Sequence, residues 1–99
     1  MTEFLDTSIS ESVLTIRLNR PAKKNALTGA MYLGFAAALT AAQSDPAVRA
    51  VLICGVPGAF SAGNDLEDFL GAQETSGARP AQVLIHALTN TTLPLVAAV

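Results

Sequence analysis

Apolar and polar residues alternate near the start of the chain. Every second residue from Leu14 to Leu18 is apolar, and polar residues stand between them, which predicts a strand over residues 12–18 with one buried face. Residues 3–9 are a weaker strand candidate. A turn near Ser10-Glu11 would join the two strands as a hairpin.

The spacing of apolar residues then changes to that of a helix. Asn19-Arg20-Pro21 ends the second strand, because proline lacks the N–H that a sheet ladder needs. Thr28 can cap a helix that runs to Ser44, and Asp45-Pro46 ends it, because the residue before a proline is disfavoured in helical angles. The apolar residues of this segment fall at Tyr32, Phe35, Ala36, Leu39 and Ala42.

The second half of the chain shows further short elements bounded by glycine and proline. The pattern predicts a strand at 51–54 buried on both faces, a glycine-rich turn at 55–63, a short helix at 65–70, a loop at 71–80, a helix at 81–91 with Val83, Leu84, Ala87 and Leu88 on its apolar side, and a buried strand at 95–99. Strands separated by helices indicate right-handed crossovers and mainly parallel pairing. The predicted class is therefore α/β.

Composition excludes several kinds of protein. With 51% hydrophobic and 14% charged residues among 99, the chain is not of the disordered type. A net charge of −2 gives no case for binding nucleic acid or an anionic membrane. No apolar run approaches the roughly 18 residues of a membrane span. Acidic residues near the N-terminus do not fit a signal peptide, and Cys54 has no partner for a disulfide, so we expect a cytoplasmic protein.

Three segments, taken together and in this order, resemble the crotonase superfamily of enoyl-CoA hydratases and isomerases. Residues 16–27 are similar to the family's strand and its Asn-Arg-Pro…Asn-Ala-Leu loop. Residues 59–66, Ala-Phe-Ser-Ala-Gly-Asn-Asp-Leu, resemble its Phe-x-Ala-Gly-x-Asp-Leu turn. Residues 93–99 resemble the strand before its second glycine-rich turn. The resemblance implies the crotonase-type (ClpP/crotonase) spiral of β-β-α units.

The resemblance also implies a chemistry. Crotonases bind acyl-CoA thioesters and stabilise an enolate-like anion with main-chain N–H groups, and loss of one such donor costs about 3–4 kcal/mol. By resemblance, the N–H of Ala62 is the first donor and Gly63 permits the turn. No cofactor is implied, since the CoA thioester is the substrate, and no metal. The residues expected to line the substrate site are Arg20, Lys24, Ala26, Ala62, Gly63, Asn64, Asp65 and Leu66.

The resemblance also implies a role for the basic loop at residues 20–24. Arg20, Lys23 and Lys24 would lie beside the nucleotide end of CoA, where cations meet phosphates, and main-chain groups near Ala26 would help to hold the adenine. A solvated surface loop is the competing interpretation. The Asp65 carboxylate is better explained as a turn or cap residue than as a general acid or base, while His86 is interpreted as structural.

The resemblance covers only the N-terminal portion of a family subunit, so residues 1–99 are interpreted as part of one truncated domain with an exposed sheet edge. The second donor glycine, the catalytic glutamates and the helices that build the homotrimer, or dimer of trimers, would follow Val99. The asparagine at position 64 resembles the turn of some isomerases of the family and so slightly favours an isomerase, while a hydratase is the alternative.

A non-catalytic acyl-CoA-binding or interaction protein of the same fold is the alternative from another class. A dinucleotide-binding domain is a distant third, because its Gly-x-Gly-x-x-Gly does not follow the first strand.

Overall fold

The structure, a computed structural model, describes residues 4–63, 65 and 79–99. Its elements in chain order are β1 (Leu5–Ser10), β2 (Val13–Leu18), a short 3₁₀ helix (Pro21–Lys23), α1 (Gly29–Gln43), β3 (Ala50–Cys54), α2 (Pro80–Asn90) and β4 (Leu95–Ala98). The four strands form one sheet in the order β1-β2-β3-β4. The predicted helix at 65–70 and nearly all of the predicted loop at 71–80 lie outside the described residues.

The hairpin is confirmed, with its turn one residue later than predicted. Strands β1 and β2 pair antiparallel, and Ser10 lies opposite Val13. The two residues between them, Glu11 and Ser12, have φ of 52° and 66°. A two-residue turn with both φ angles positive matches the right-handed twist of the strands that it joins.

Helix α1 begins and ends close to the predicted residues. The hydroxyl of Thr28 accepts a hydrogen bond from the N–H of Met31 at 3.1 Å, as expected of an N-cap. The buried face differs from the predicted one in one respect: Met31 is fully buried, whereas Tyr32 is half-buried. The other buried residues are those that the spacing indicated, namely Phe35, Ala36, Leu39 and Ala42.

The core lies between one face of the sheet and α1. Strand β3 pairs parallel with both β2 and β4, as crossovers through helices require. The same sheet face carries the apolar side chains that alternate along β2 and β3, and the buried residues of α1 pack on it. Helix α2 adds Leu84 to this core. The sheet members of the core are Leu5, Leu14, Ile16, Leu18, Val51 and Ile53.

Two strands are less buried than the apolar runs predicted. Leu52 and Cys54 of β3 are half-buried, and Val96 of β4 is 58% exposed. In the described part of the chain the helices pack on the Val51 and Ile53 side, so the opposite face has no covering layer. Burial on both faces was therefore wrong for β3, and β4, which was predicted as a buried strand, is mostly exposed.

The cap of α1 can be tested by mutation. Thr28→Ala removes the acceptor for the Met31 N–H, and we expect the free energy of unfolding to fall by about 1 kcal/mol in urea denaturation. Thr40→Ala is the matched control, because Thr40 is an exposed residue inside the same helix. An equal loss at both positions would contradict the cap.

Candidate functional site

The site is built from two segments that are distant in sequence. We call residues 19–27 the first loop and residues 55–65 the glycine-rich turn, of which residue 64 is not described. The first loop contains the 3₁₀ helix, which starts at Pro21, where the fixed φ of proline suits a helical turn. Lys24 and Asn25 follow with φ of 50° and 59°, so the chain reverses and Asn25 turns inward.

Asn25 connects the two segments. It is a buried polar residue with 0% exposure. Its Nδ2 donates to the carbonyl oxygens of Ala59 at 3.1 Å and Phe60 at 3.0 Å. Its Oδ1 accepts from the N–H of Arg20 at 2.6 Å. Because every one of these groups is paired, the amide is buried without an unsatisfied donor or acceptor.

Main-chain hydrogen bonds continue this connection along the turn. The N–H of Leu27 donates to the Gly63 carbonyl oxygen at 2.7 Å, and the N–H of Asp65 donates to the Leu27 carbonyl oxygen at 2.9 Å. The Ser61 hydroxyl donates to the Asn25 carbonyl oxygen at 2.9 Å. The first loop and the glycine-rich turn are therefore joined like neighbouring strands, although neither is a regular strand.

The predicted role of Ala62 is not supported by its geometry. Its N–H donates to the carbonyl oxygen of Lys24 at 3.0 Å. An N–H that is engaged in an internal hydrogen bond is not available to an oxyanion. The N–H of Gly63 is likewise engaged, with the Ser61 hydroxyl at 3.0 Å. The prediction that the Ala62 N–H donates to the thioester is therefore corrected: this N–H bonds inside the protein. Gly63 has φ of 92°, the left-handed angle that its predicted role in the turn requires.

Arg20 is engaged inside the protein rather than free in solvent. Its Nη1 donates to Asp65 Oδ2 at 2.7 Å and to the Ala26 carbonyl oxygen at 3.0 Å. Its guanidinium lies 5.3 Å from the centroid of the Phe4 ring. Both side chains of the ion pair are only 14% exposed. Arg20 therefore ties the first loop to the glycine-rich turn, and the Asp65 carboxylate has a structural partner, as the turn interpretation expected.

The remaining predicted site residues differ in their surroundings, and two of them lie outside the described ranges. Lys23 and Lys24 are exposed and their side chains face solvent. The N–H of Ala26 donates to the Lys23 carbonyl oxygen at 3.0 Å, so an adenine contact there would have to use the Ala26 carbonyl oxygen, which has a second lone pair. Asn64 and Leu66 lie outside the described residues.

An open cavity of about 550 Å³ borders the glycine-rich turn. Its walls include Arg17, Cys54 and Ala98 near the carboxyl ends of three parallel strands, together with residues 55–60 of the turn. Ligands of open α/β sheets bind beyond the carboxyl ends of the strands. Arg17 Nη1 donates to the Gly55 carbonyl oxygen at 3.0 Å and so helps to shape this wall.

Other chemical groups contribute less. His86 lies on the exposed side of α2. Burial raises the pKa of the Tyr32 phenol above its usual range, so the phenol stays neutral at pH 7. Among residues 4–63, 65 and 79–99, no group of three or more His, Cys, Asp and Glu side chains is placed to hold a metal ion. Nor does any helix of these ranges have the length and apolarity needed to cross a bilayer.

Sequence reasoning missed the side chain of Asn25. The prediction considered only main-chain groups in its neighbourhood. A signal was present, because asparagine is among the few residues that readily adopt left-handed angles, and it follows a short turn opened by a proline. Its three partners could not be inferred, since two of them lie more than thirty residues away.

A sequence profile of the family described as enoyl-CoA hydratase/isomerase matches residues 8–99. The probable enoyl-CoA hydratase EchA14 of Mycobacterium tuberculosis is 36% identical over 96 residues, which are 93% of this chain and 37% of that protein. The 1,2-epoxyphenylacetyl-CoA isomerase of Escherichia coli is 34% identical over 68 residues, which are 69% of this chain and 26% of that protein.

The fold has close matches among solved structures. The structure of Pseudomonas aeruginosa OdaA superposes with a TM-score of 0.91 at 43% identity, and the match covers 98% of this chain and 39% of that one. This likeness confirms the predicted crotonase-type α/β fold. The chain spans less than two fifths of EchA14 and of the OdaA chain.

The ion pair between the first loop and the turn can be measured by a double-mutant cycle. Arg20→Met and Asp65→Asn each remove a nearly buried charged partner, and we expect each to lower the free energy of unfolding by about 2 kcal/mol. The coupling energy should be about 1–3 kcal/mol. The control is Asp6→Asn, which changes an exposed carboxylate bonded to Asn19 at 2.9 Å and should cost less than about 0.5 kcal/mol. A coupling near zero would contradict the pair.

Proposed function

Because the chain belongs to the enoyl-CoA hydratase/isomerase family, we propose that it forms the thioester-binding part of an enzyme that acts on enoyl-CoA. The reaction is hydration of the double bond or its migration, through an enolate-like anion that main-chain N–H groups stabilise. One relative is named as a probable enoyl-CoA hydratase and another as an isomerase of 1,2-epoxyphenylacetyl-CoA, so both names refer to CoA thioesters. The family description covers hydratases and isomerases, and the described residues of this chain do not select one reaction.

The observation that supports this proposal best is the set of hydrogen bonds between the first loop and the glycine-rich turn. A donor to an oxyanion is effective only when it is held in place before the charge develops, because then no reorganisation is needed during the reaction. The glycine-rich turn is held from residue 59 to residue 65 by side-chain and main-chain bonds. It also borders a cavity at the strand ends, where an acyl group would have room.

The donor itself is reassigned in this proposal. The N–H groups of Ala62, Gly63 and Asp65 are all engaged within the protein. Leu27 accepts from residue 65 and donates to residue 63. Because the N–H groups of these described neighbours are engaged, the proposal assigns the oxyanion donor by elimination to the main-chain N–H of Asn64, a residue outside the described ranges.

The same proposal assigns the CoA phosphates to the exposed cations of the first loop. Lys24, with Lys23 beside it, can approach a phosphate without breaking an internal contact. Arg20 is less suited to this role, because its Nη1 is engaged with Asp65 and with the Ala26 carbonyl oxygen and its side chain is only 14% exposed. The catalytic acid and base are assigned to no described residue of this chain, since Asp65 is engaged in that ion pair.

The reassigned donor can be tested in the protein that carries this chain together with the rest of its catalytic domain. Asn64→Pro deletes the main-chain N–H, and we expect kcat with crotonyl-CoA or a 3-enoyl-CoA to fall about 10²–10³-fold. Asn64→Ala is the matched control, because it keeps the N–H and should retain activity near that of the wild type. Equal losses in the two variants would contradict a main-chain donor at this position.

The activity of the wild type in the same assay also decides between an enzyme and a non-catalytic binding protein. Saturable binding of an acyl-CoA without turnover of either substrate by the wild type would support the binding protein. Isothermal titration calorimetry with a non-reactive acyl-CoA measures that binding separately from the chemistry.

The phosphate contact can be tested by comparing two substrates. Lys24→Gln should raise KM for the enoyl-CoA roughly three- to five-fold, the loss expected for an exposed ion pair worth up to about 1 kcal/mol. KM for the corresponding enoyl-pantetheine, which lacks the nucleotide phosphates, should not change. Arg49→Gln removes another exposed cation and should leave both KM values unchanged. An equal effect of Lys24→Gln on both substrates would contradict a phosphate contact.

A further inference from the structure

Asn25 is the buried polar residue at the centre of the contact between the first loop and the glycine-rich turn. We propose that Asn25 is a positioning residue for the reaction, whose side-chain amide sets the place of residues 59–63 and thereby of the oxyanion donor that follows them. This inference rests on the proposed function. Asn25 touches no reacting atom in this assignment and acts through the turn.

The hydrogen bonding of the Asn25 side chain is complete. Both Nδ2 hydrogens reach consecutive carbonyl oxygens, of Ala59 and Phe60, at 3.1 and 3.0 Å. Two bonds to neighbouring peptide groups fix the direction of the chain at that point as well as its distance. The Asn25 carbonyl oxygen also accepts from the Ser61 hydroxyl, which in turn accepts from the Gly63 N–H. Asn25 therefore bonds three consecutive residues of the turn, Ala59, Phe60 and Ser61, and reaches Gly63 through the Ser61 hydroxyl.

Few other residue types meet all the constraints at position 25. A φ of 59° favours glycine, asparagine and aspartate. Glycine would offer no side-chain bond, and an ionised aspartate would place a carboxylate against two carbonyl oxygens. Glutamine is longer by one methylene in a site with 0% exposure. Asparagine alone among these fits the angle, the space and the two acceptors.

The two bonds from the Asn25 amide have a consequence for catalysis. Residues 59 and 60 immediately precede Ser61, Ala62 and Gly63, whose bonds continue the same contact. Loss of the two amide bonds would let this segment shift relative to the first loop. A displacement of about 1 Å at a catalytic group can reduce the rate about 10²-fold. Because an oxyanion donor acts mainly on the transition state, such a shift should lower kcat more than it raises KM.

The experiment uses Asn25→Asp in the protein with its complete catalytic domain. This variant keeps the size of the side chain and its acceptor for the Arg20 N–H but loses both donors to the turn. We expect kcat to fall about 10- to 100-fold while KM changes less than about three-fold, with rates corrected for the folded fraction measured by circular dichroism.

A pH profile separates positioning from a general structural role. When the introduced carboxyl is protonated it regains one O–H donor, which can bond one of the two carbonyl oxygens. The ratio of the kcat of Asn25→Asp to that of the wild type should therefore rise as the pH falls. A ratio that is independent of pH, at constant folded fraction, would overturn the assignment.

The matched control is Asn90→Asp, the same chemical change at an exposed amide at the end of α2, outside the first loop and the glycine-rich turn. It should leave kcat within about two-fold of the wild type. Ser61→Ala is the second variant, for the case that Asn25→Asp does not fold, because it removes the bonds from Ser61 to Asn25 and to Gly63 at a half-buried site. It should lower kcat about three- to ten-fold with little change in KM. Unchanged kcat in Ser61→Ala would then overturn the proposal.

The outcomes distinguish the two levels of inference. If the wild type turns over no enoyl-CoA, the proposed function fails, and the positioning role fails with it. If the wild type is active and Asn25→Asp folds with unchanged kcat, the positioning role fails while the proposed function stands. If Asn25→Asp raises KM and leaves kcat unchanged, Asn25 acts on substrate binding, and the proposed role in positioning the donor is wrong.

Discussion

The burial of one neutral amide, that of Asn25, fixes how the first loop and the glycine-rich turn pack against each other. Asn25 is placed in the interior by two consecutive residues with left-handed angles, and a buried amide is costly unless its groups are paired. Its partners lie on the glycine-rich turn and on Arg20, so the amide is satisfied only when the first loop and the turn are in register. The same register brings Leu27 between residues 63 and 65. Folding and the formation of the site therefore depend on one set of contacts.

The secondary structure was largely predictable because its signals are local. Alternation along β2, the Thr28 cap and Asp45-Pro46 each act over a few residues, and the described residues include the hairpin, α1 and α2 near their predicted bounds. Burial was predicted less well. Leu52 and Val96 belong to apolar runs that resemble buried strands, but burial depends on whether another layer covers them, which a run of apolar residues does not specify.

The candidate site was predicted at the level of segments and missed at the level of atoms. The two motifs were recognised as parts of one site, and the structure brings them together. Which N–H is free could not be read from residue types, because every non-proline residue has one and its direction depends on the pairing. Ala62 was chosen as the oxyanion donor because it is small and adjacent to Gly63, but its N–H donates to the Lys24 carbonyl oxygen instead. Arg20 shows a similar limit: its charge suggested a phosphate contact, but the residue type did not reveal its ion pair with Asp65.

The electrostatics of these contacts suit the proposed chemistry. A fixed charge close to a developing oxyanion would alter its stability strongly, because interactions strengthen where water is excluded. The turn is instead held by a neutral amide, by main-chain groups and by an ion pair whose two charges offset each other. The exposed cations Lys23 and Lys24 are on the first loop, on the outside of the protein. In the proposed function, this division would leave the dipole of a main-chain N–H to act on the anion and the exposed lysines to contact the phosphates of a CoA thioester.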